Sequence, residues 1–278
     1  MKVSPREGIR LMEMRTEFKW RRLRGGVVLS AQELHVWRAH LELPAPVLGD
    51  LERTLSPEER ARAARFRFAG DRNRFLAARA VLRDILARYL DCHPSEPRFS
   101  YAPFGKPVLV PSSRGNELRF NLAHSGGLAV YAIAQRREVG IDVEEIRPLF
   151  ARERIAEQFF SQPEIAELRA LPVQRQPMAF FNCWTRKEAY LKARGDGLQI
   201  PLDSFSVSLA PCESAEFREG VDPGWSLRAL TPARGYAAAV ATIGHDWRPK
   251  FWHWKPRLAI ASPNRSPDLK GRVEKCIL

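Results

Sequence analysis

The sequence predicts an α+β fold of two similar halves with a ligand cleft between them. Two observations lead there. Each half offers a long helical pattern, a short strand, and a strand pair ending in small apolar residues, Val130–Ala134 in one and Ala237–Val240 in the other. The chain's 278 residues, 45% of them hydrophobic, suffice for two halves that each bury a core. The join falls near Arg136–Glu138, giving halves of 29–137 and 138–246, and the space between such halves is a natural ligand site.

Residues 1–28 show no clean period and read as a poorly ordered extension. Leu34–Ala39 alternates and reads as a strand. Ser56-Pro57-Glu58-Glu59 is a helix start, with Ser as N-cap, Pro at the first helical position and Glu at the third. That helix runs through Phe66 and breaks at Gly70, where Asp71 can cap a second one. Phe75, Leu76, Val81, Leu82, Ile85, Leu86 and Tyr89 fall at helical spacing, and Pro94 and Pro97 end the element. Phe99–Tyr101 is a short strand, and Ala102–Pro107 a turn. Arg119–Leu122 and Leu128–Ala134 are strands around the loop Ala123–Gly127, and Val139–Val143 is the next strand.

In the second half, Arg152–Leu171 is helical, with a further capping signal at Ser161-Gln162-Pro163-Glu164. Met178–Arg194 is a long helix ended by Gly195 and Gly197. Phe205–Leu209, Trp225–Ala229 and Tyr236–Ile243 are strands. Beyond His245 the pattern stops, and residues 247–278 read as a basic tail.

The net charge of +13 sits mostly at the ends. Residues 1–30 and 245–278 each carry eight Lys/Arg against three acids, leaving +3 for the middle. Such ends can bind nucleic acid or acidic membranes; a solvated end is the simpler reading. A chain trimmed to about residues 29–246 is therefore expected to stay soluble and active. No apolar run reaches the roughly 18–20 residues that span a bilayer. Cys92, Cys183, Cys212 and Cys276 show no zinc-type spacing and read as reduced thiols. The expectation is a cytoplasmic protein, monomeric, with no membrane partner.

Five short signals carry chemistry. In Gly140-Ile141-Asp142-Val143-Glu144 the two acids lie two apart on a strand, so they project together. Neighbouring carboxylates repel unless a cation sits between them, and oxygen ligands of this kind suit Mg²⁺. In Trp184-Thr185-Arg186-Lys187-Glu188-Ala189-Tyr190-Leu191-Lys192, Glu188 and Lys192 are helical i, i+4 neighbours in the favoured order. Phe120-Asn121-Leu122-Ala123-His124-Ser125-Gly126-Gly127 sets an imidazole beside a glycine turn whose N–H groups can approach a phosphate. Gly105-Lys106-Pro107 sets a lysine on a rigid bend, and Arg62 and Arg65 share a face of the first helix. Taken singly, each also fits an ordinary role: a solvated acidic strand face, a surface ion pair, a hydrogen-bonded histidine, a basic helix face.

Their order along the chain resembles the Sfp-type 4′-phosphopantetheinyl transferase family, from about Ser56 to Ile243 and including Pro201-Leu202-Asp203-Ser204-Phe205. The resemblance implies a pseudo-twofold fold with coenzyme A in the cleft. It implies that Asp142, Glu144 and Glu188 hold Mg²⁺, with Mn²⁺ as a substitute, against the coenzyme A pyrophosphate. Glu188 would deprotonate the serine of an apo acyl or peptidyl carrier protein, and Lys192 would stabilise the leaving phosphate. Arg62, Lys106 and His124 would contact the nucleotide's phosphates, and the backbone near Ala123 the adenine. Two positions depart from the family pattern: Ala123 stands where many relatives have Ser, and Glu59 where some have a phosphate-binding Lys.

Two rival readings stand beside this one. A nucleic-acid-binding protein would draw on the positive charge and on Trp247, Phe251, Trp252 and Trp254 for base stacking, without any helix-turn-helix, zinc-finger or RRM signature. An inactive relative of the transferase would keep the fold and lose the key polar residues, all of which are present here.

Overall fold

Val130, Ala132 and Ala134 belong to one buried cluster, and Ala129, Tyr131 and Ile133 to another. One strand with two apolar faces must lie between two layers, and the architecture grows from that requirement. The computed structural model describes residues 18–23, 26–110, 117–147 and 152–256.

The larger sheet uses β1 (Arg21–Arg22), β2 (Glu33–His40), β5 (Leu118–Ser125), β6 (Leu128–Gln135) and β12 (Arg248–His253), in the order β1-β12-β2-β6-β5. One of its faces packs on the 22-residue helix α3 (Ala69–Leu90), which contributes Ala77, Val81, Leu82, Ile85 and Leu86. Ahead of it run α1 (Ala45–Glu52) and α2 (Pro57–Ala63). The smaller sheet has the order β10 (Trp225–Leu230), β11 (Tyr236–Ile243), β7 (Val139–Glu145), all antiparallel. Val139, Ile141 and Val143 of β7 join the core between the sheets. Ala237, Ala239 and Ala241 of β11 pack instead with the long helix α6 (Gln176–Arg194). The layers are therefore helix, sheet, sheet, helix, with α4 (Arg152–Phe159) and α5 (Gln162–Ala170) beside α6. Two-stranded ribbons, β3 (Phe99–Tyr101) with β4 (Pro107–Leu109) and β8 (Ser206–Val207) with β9 (Phe217–Glu219), complete it. Helix-on-sheet packing recurs in each half, as the sequence predicts.

The capping box at Ser56 forms, the Ser161 N–H donates to Glu164 Oε2 at 2.8 Å at the second start, and Gly195 ends α6 in the left-handed region at φ +77°. Several boundaries differ. The break in the first half falls between Ala63 and Ala69, with Asp71 inside the first turn of α3 and paired to Arg74 at 2.7 Å. The loop expected at 123–127 shrinks to the two-residue turn Gly126-Gly127, because β5 continues through Ser125 and pairs with Leu128. α1 has no counterpart in the sequence reading, since Pro44 and Pro46 mask its start.

The largest correction concerns the boundary at 247. Strand β12 pairs in parallel with β2, Trp252 opposite Trp37, and β1 pairs in parallel with β12. Trp247 joins the core between the sheets and Trp254 the core under α3, and Phe18 and Trp20 pack against Phe251. Part of each terminal segment thus belongs to the fold. Alternate apolar residues from 247 to 254 seek opposite cores, and Arg248 and Lys250 between them disguise the strand. The rest of the expected N-terminal extension and basic tail, residues 1–17 and 257–278, lies outside the described residues.

Candidate active site

The even-numbered face of β7 carries Gly140, Asp142 and Glu144, and it faces α6. The approach is close because Gly140 has no side chain: a β-carbon there would meet the carbonyl oxygen of Ala189 and the backbone nitrogen of Ala193. Residues Glu188 and Lys192, one turn apart on α6, come down beside Asp142. Lys192 Nζ donates to Asp142 Oδ1 at 2.5 Å. The other oxygen, Asp142 Oδ2, is buried and has no hydrogen-bond partner. Glu144 Oε2 accepts a 2.7 Å hydrogen bond from the Ser125 hydroxyl of β5.

The electrostatics follow from that crowding. Burial raises the carboxyl pKa values of Asp142, Glu144 and Glu188; Asp142 raises those of the other two further, and Glu144 adds to Glu188. Burial acts to lower the Lys192 pKa, and the three carboxylates outweigh it, Asp142 first, so the ammonium is held. His124 is exposed as a residue, yet atoms crowding its ring desolvate it and lower its pKa; the charges of Lys192 and Arg74 lower it further.

Glu188 and Lys192 line a cleft of about 270 Å³ between the halves, closed from the first half by Phe104, Gly105, Lys106, Pro107, Asn121 and Leu122. Lys106 is already engaged: Nζ donates to Ala193 O at 2.9 Å and to Glu138 Oε2 at 3.1 Å, tying the end of α6 to the first half. A second recess of about 200 Å³ lies on the far side of Glu144, lined by Ser125, Glu145, Arg147, Ile155, Phe180, Phe181 and Trp184. Arg62 sits elsewhere, in a recess of about 600 Å³ with Arg65, Phe66, Phe75 and Tyr101, its guanidinium 5.5 Å from the Phe75 ring centre. The structure thus pairs Lys192 with Asp142, sets Glu144, Glu188 and His124 within electrostatic reach of that pair, places Lys106 at the same cleft as Glu188 and Lys192, and leaves Arg62 in a recess of its own.

Ala123 lies inside β5 opposite Val130, not in a loop, and its methyl is buried between the sheets. Only its backbone is left for a ligand. Glu59 is 5% exposed and accepts from Arg79 at 2.8 Å and from Arg83 at 2.6 Å. Two arginines i, i+4 on α3 meet one carboxylate, so Glu59 is a buried structural anion, and its removal would strand two buried cations. Lys187, next to Glu188, turns the other way: it is 1% exposed, 2.8 Å from Glu164, and bonds Leu202 O and Phe205 O. Ser125 is a site neighbour that the motif reading did not assign, whereas Arg74, a candidate alongside Arg62 for the phosphate contact that Glu59 lacks, lies close enough to act on His124. The FNxxHS string contains Ser125, but nothing local says that its partner is Glu144.

Among the described residues no three His, Cys, Asp or Glu side chains are already gathered around a metal position. The donor set nonetheless fits a hard cation. It is all oxygen, its carboxyl groups repel one another, and one buried oxygen, Asp142 Oδ2, lacks any partner. Carboxylates able to take a divalent cation, next to an ammonium in a cleft between two α+β halves, suit an enzyme that moves a phosphate-bearing group.

Comparison with known proteins identifies the class. Residues 138–241 match the family model described as 4′-phosphopantetheinyl transferase superfamily, and residues 47–136 the one described as 4′-phosphopantetheinyl transferase, N-terminal. The chain is 43% identical over 228 residues to the 4′-phosphopantetheinyl transferase HetI of Nostoc sp., covering 82% of this chain and 95% of that one. It is 32% identical over 206 residues to the 4′-phosphopantetheinyl transferase Sfp of Bacillus subtilis, covering 69% and 88%. Among solved structures, the holo-[acyl-carrier-protein] synthase of Thermotoga maritima matches at 22% identity, covering 38% of this chain and 62% of that one, with a TM-score of 0.31. The chain belongs to the 4′-phosphopantetheinyl transferase family, and within it to the Sfp type.

Proposed function

We propose that this enzyme transfers the 4′-phosphopantetheine moiety of coenzyme A to a serine of an apo acyl or peptidyl carrier protein, releasing 3′,5′-ADP. The observation that carries the site assignment is the buried, unpartnered Asp142 Oδ2 beside Glu144 and Glu188, whose carboxyl pKa values are raised by burial and by Asp142. Asp142, Glu144 and Glu188 would hold Mg²⁺, or Mn²⁺ in its place. When bound, the cation neutralises charge on the pyrophosphate.

The chain's own residues supply the rest. Glu188 accepts the proton of the carrier serine, directly or through one water, as that oxygen attacks the β-phosphorus and the bond to the 3′,5′-ADP oxygen breaks. Its place on the cleft wall beside Lys192 puts the carboxylate where the attacking oxygen must arrive. Lys192 keeps its proton and stabilises negative charge on the departing phosphate. His124 and Lys106, the latter with its one unspent donor, hold the nucleotide's phosphates at the cleft. The Ala123 backbone meets the adenine, and Arg62 with Arg65 offers the cations of the outlying recess to a further phosphate. We place the enzyme in the cytoplasm as a monomer; among the described residues no helix is long and apolar enough to cross a membrane. The nucleic-acid reading loses two of its four stacking residues, since Trp247 and Trp254 are 8% and 3% exposed, and the half-buried Phe251 and Trp252 pack on Trp20 and Trp37.

The test is to incubate the purified protein with Mg²⁺, coenzyme A and several apo carriers and to read intact mass. A gain of one phosphopantetheine per carrier, blocked by mutating the carrier serine, is expected. No gain with any carrier, under conditions where a known transferase converts them, would overturn the proposal.

A further inference from the structure

We propose that Ser125 is a positioning residue of the metal site: its hydroxyl, delivered by the first half, orients the Glu144 carboxylate of the second. The inference rests on Glu144 being a metal ligand, as proposed above. Ser125 Oγ donates to Glu144 Oε2 at 2.7 Å and accepts the backbone N–H of Glu145 at 3.1 Å. A serine hydroxyl has one proton. With the Glu145 N–H on a lone pair, that proton is committed to the carboxylate. One glutamate oxygen is thereby fixed, and the other, Oε1, is left for a cation.

The surrounding backbone makes this contact a built feature. Ser125 is the last residue of β5, opposite Leu128 across the turn Gly126-Gly127. Gly126 has φ +54°, and a β-carbon on it would lie 2.8 Å from Glu145 Oε2 and 2.9 Å from the Tyr236 hydroxyl. The turn is therefore pressed against the end of β7 and the start of β11, and Ser125 cannot drift along the strand. Neighbouring Glu145 is engaged separately, by Arg147 at 2.9 Å. A ligating carboxylate held by an outer hydrogen-bond donor is a general device of metal sites, and losing the donor typically costs about 10–100-fold in metal affinity.

The experiment uses the full chain and Mn²⁺ as the probe, with free Mn²⁺ counted by electron paramagnetic resonance, alone and with coenzyme A present. Ser125→Ala should bind Mn²⁺ roughly tenfold more weakly and need correspondingly more metal for half-maximal transfer, with its Tm little changed. Ser125→Thr, which keeps the hydroxyl, should recover most of the affinity. Glu144→Gln is the control and should weaken binding at least as much. If Glu144→Gln loses affinity while Ser125→Ala binds Mn²⁺ as the wild type does, the role given to Ser125 is wrong and the metal site stands. If neither change affects Mn²⁺ binding, Glu144 is not a ligand and the inference falls with that reading. Should Ser125→Ala not fold, Ser125→Cys, close in size and a weak donor, takes its place with the same expected loss.

Discussion

Gly140 and Ala189 meet backbone to backbone: a β-carbon built on Gly140 would lie 2.1 Å from the Ala189 carbonyl oxygen. Next to Ala189 is Glu188, and two residues past Gly140 is Asp142, so this contact sets how deeply α6 brings its acid toward β7. Gly140→Ala is expected to push the helix away, costing about 1–3 kcal/mol as overpacking does. A shift of roughly 1 Å at the site can lower turnover about 10²-fold. Thermal unfolding and single-turnover kinetics check it; wild-type turnover in a folded variant would show that the close approach does not position the site.

Glu188→Gln keeps the shape of the side chain and removes a base. Transfer should fall by ~10²–10⁴, the usual worth of a positioned general base. The fold should persist, because Glu188 is only partly buried and holds no structural ion pair like that of Lys187. Rapid-quench transfer rates alongside Tm decide it, and a loss below tenfold would move the proton acceptor to another group.

Excess EDTA should stop transfer, and Mg²⁺ or Mn²⁺ should restore it. The carboxylate set without His or Cys suits hard cations. Full transfer in EDTA, with no metal found in the protein by elemental analysis, would remove the cation from the mechanism.

A chain ending at residue 246 should fail to fold, whereas one ending at 256 should fold. The shorter chain loses β12 together with Trp247 and Trp254. Each tryptophan buries roughly 150–250 Å², or about 4–6 kcal/mol at ~25 cal/mol per Å². Two of them rival the ~5–15 kcal/mol by which a whole domain is stable. Circular dichroism melts of the two chains check this, and it reverses the expectation that trimming at 246 is harmless.

The stability contributed by neutral His35 and His253 should decline as pH falls from about 6.5 toward 4, while the raised carboxyls of Asp142, Glu144 and Glu188 act in the opposite direction. His35 is fully buried between Tyr89 and Glu33, and burial lowers its pKa to about 4, against the pull of Glu33. Desolvation and nearby Arg38 lower His253 to about 4 as well. In this window the unfolded chain binds protons that the folded chain refuses, so lowering pH favours unfolding, and the loss is complete below about 4. From pH 7 to 4, Tm should fall more steeply, or rise less, in the wild type than in His35→Gln. An unchanged slope would mean that His35 is protonated in the fold.

Local chemistry was legible in the sequence because its rules are short-ranged. Spacing of two put Asp142 and Glu144 on one strand face, spacing of four put Glu188 and Lys192 on one helix face, and Ser-x-x-Glu with a proline inside marked two helix starts. Ordered along the chain, those motifs sufficed to recognise the family. What only the tertiary structure decided was which distant partner each side chain chose. Glu59 reads as a lost phosphate contact until Arg79 and Arg83 arrive from α3. Lys106 reads as a free cation until Ala193 O at the end of α6 accepts from one of its three N–H groups and Glu138 from another. Residues 247–254 read as a charged tail until two separate cores claim alternate aromatics, and Ser125 reads as loop until Glu144 crosses from the other half. Each of these contacts spans a sequence separation that no local period encodes, and each is fixed by burial: a charged or polar group without water must find its partner wherever the fold supplies one.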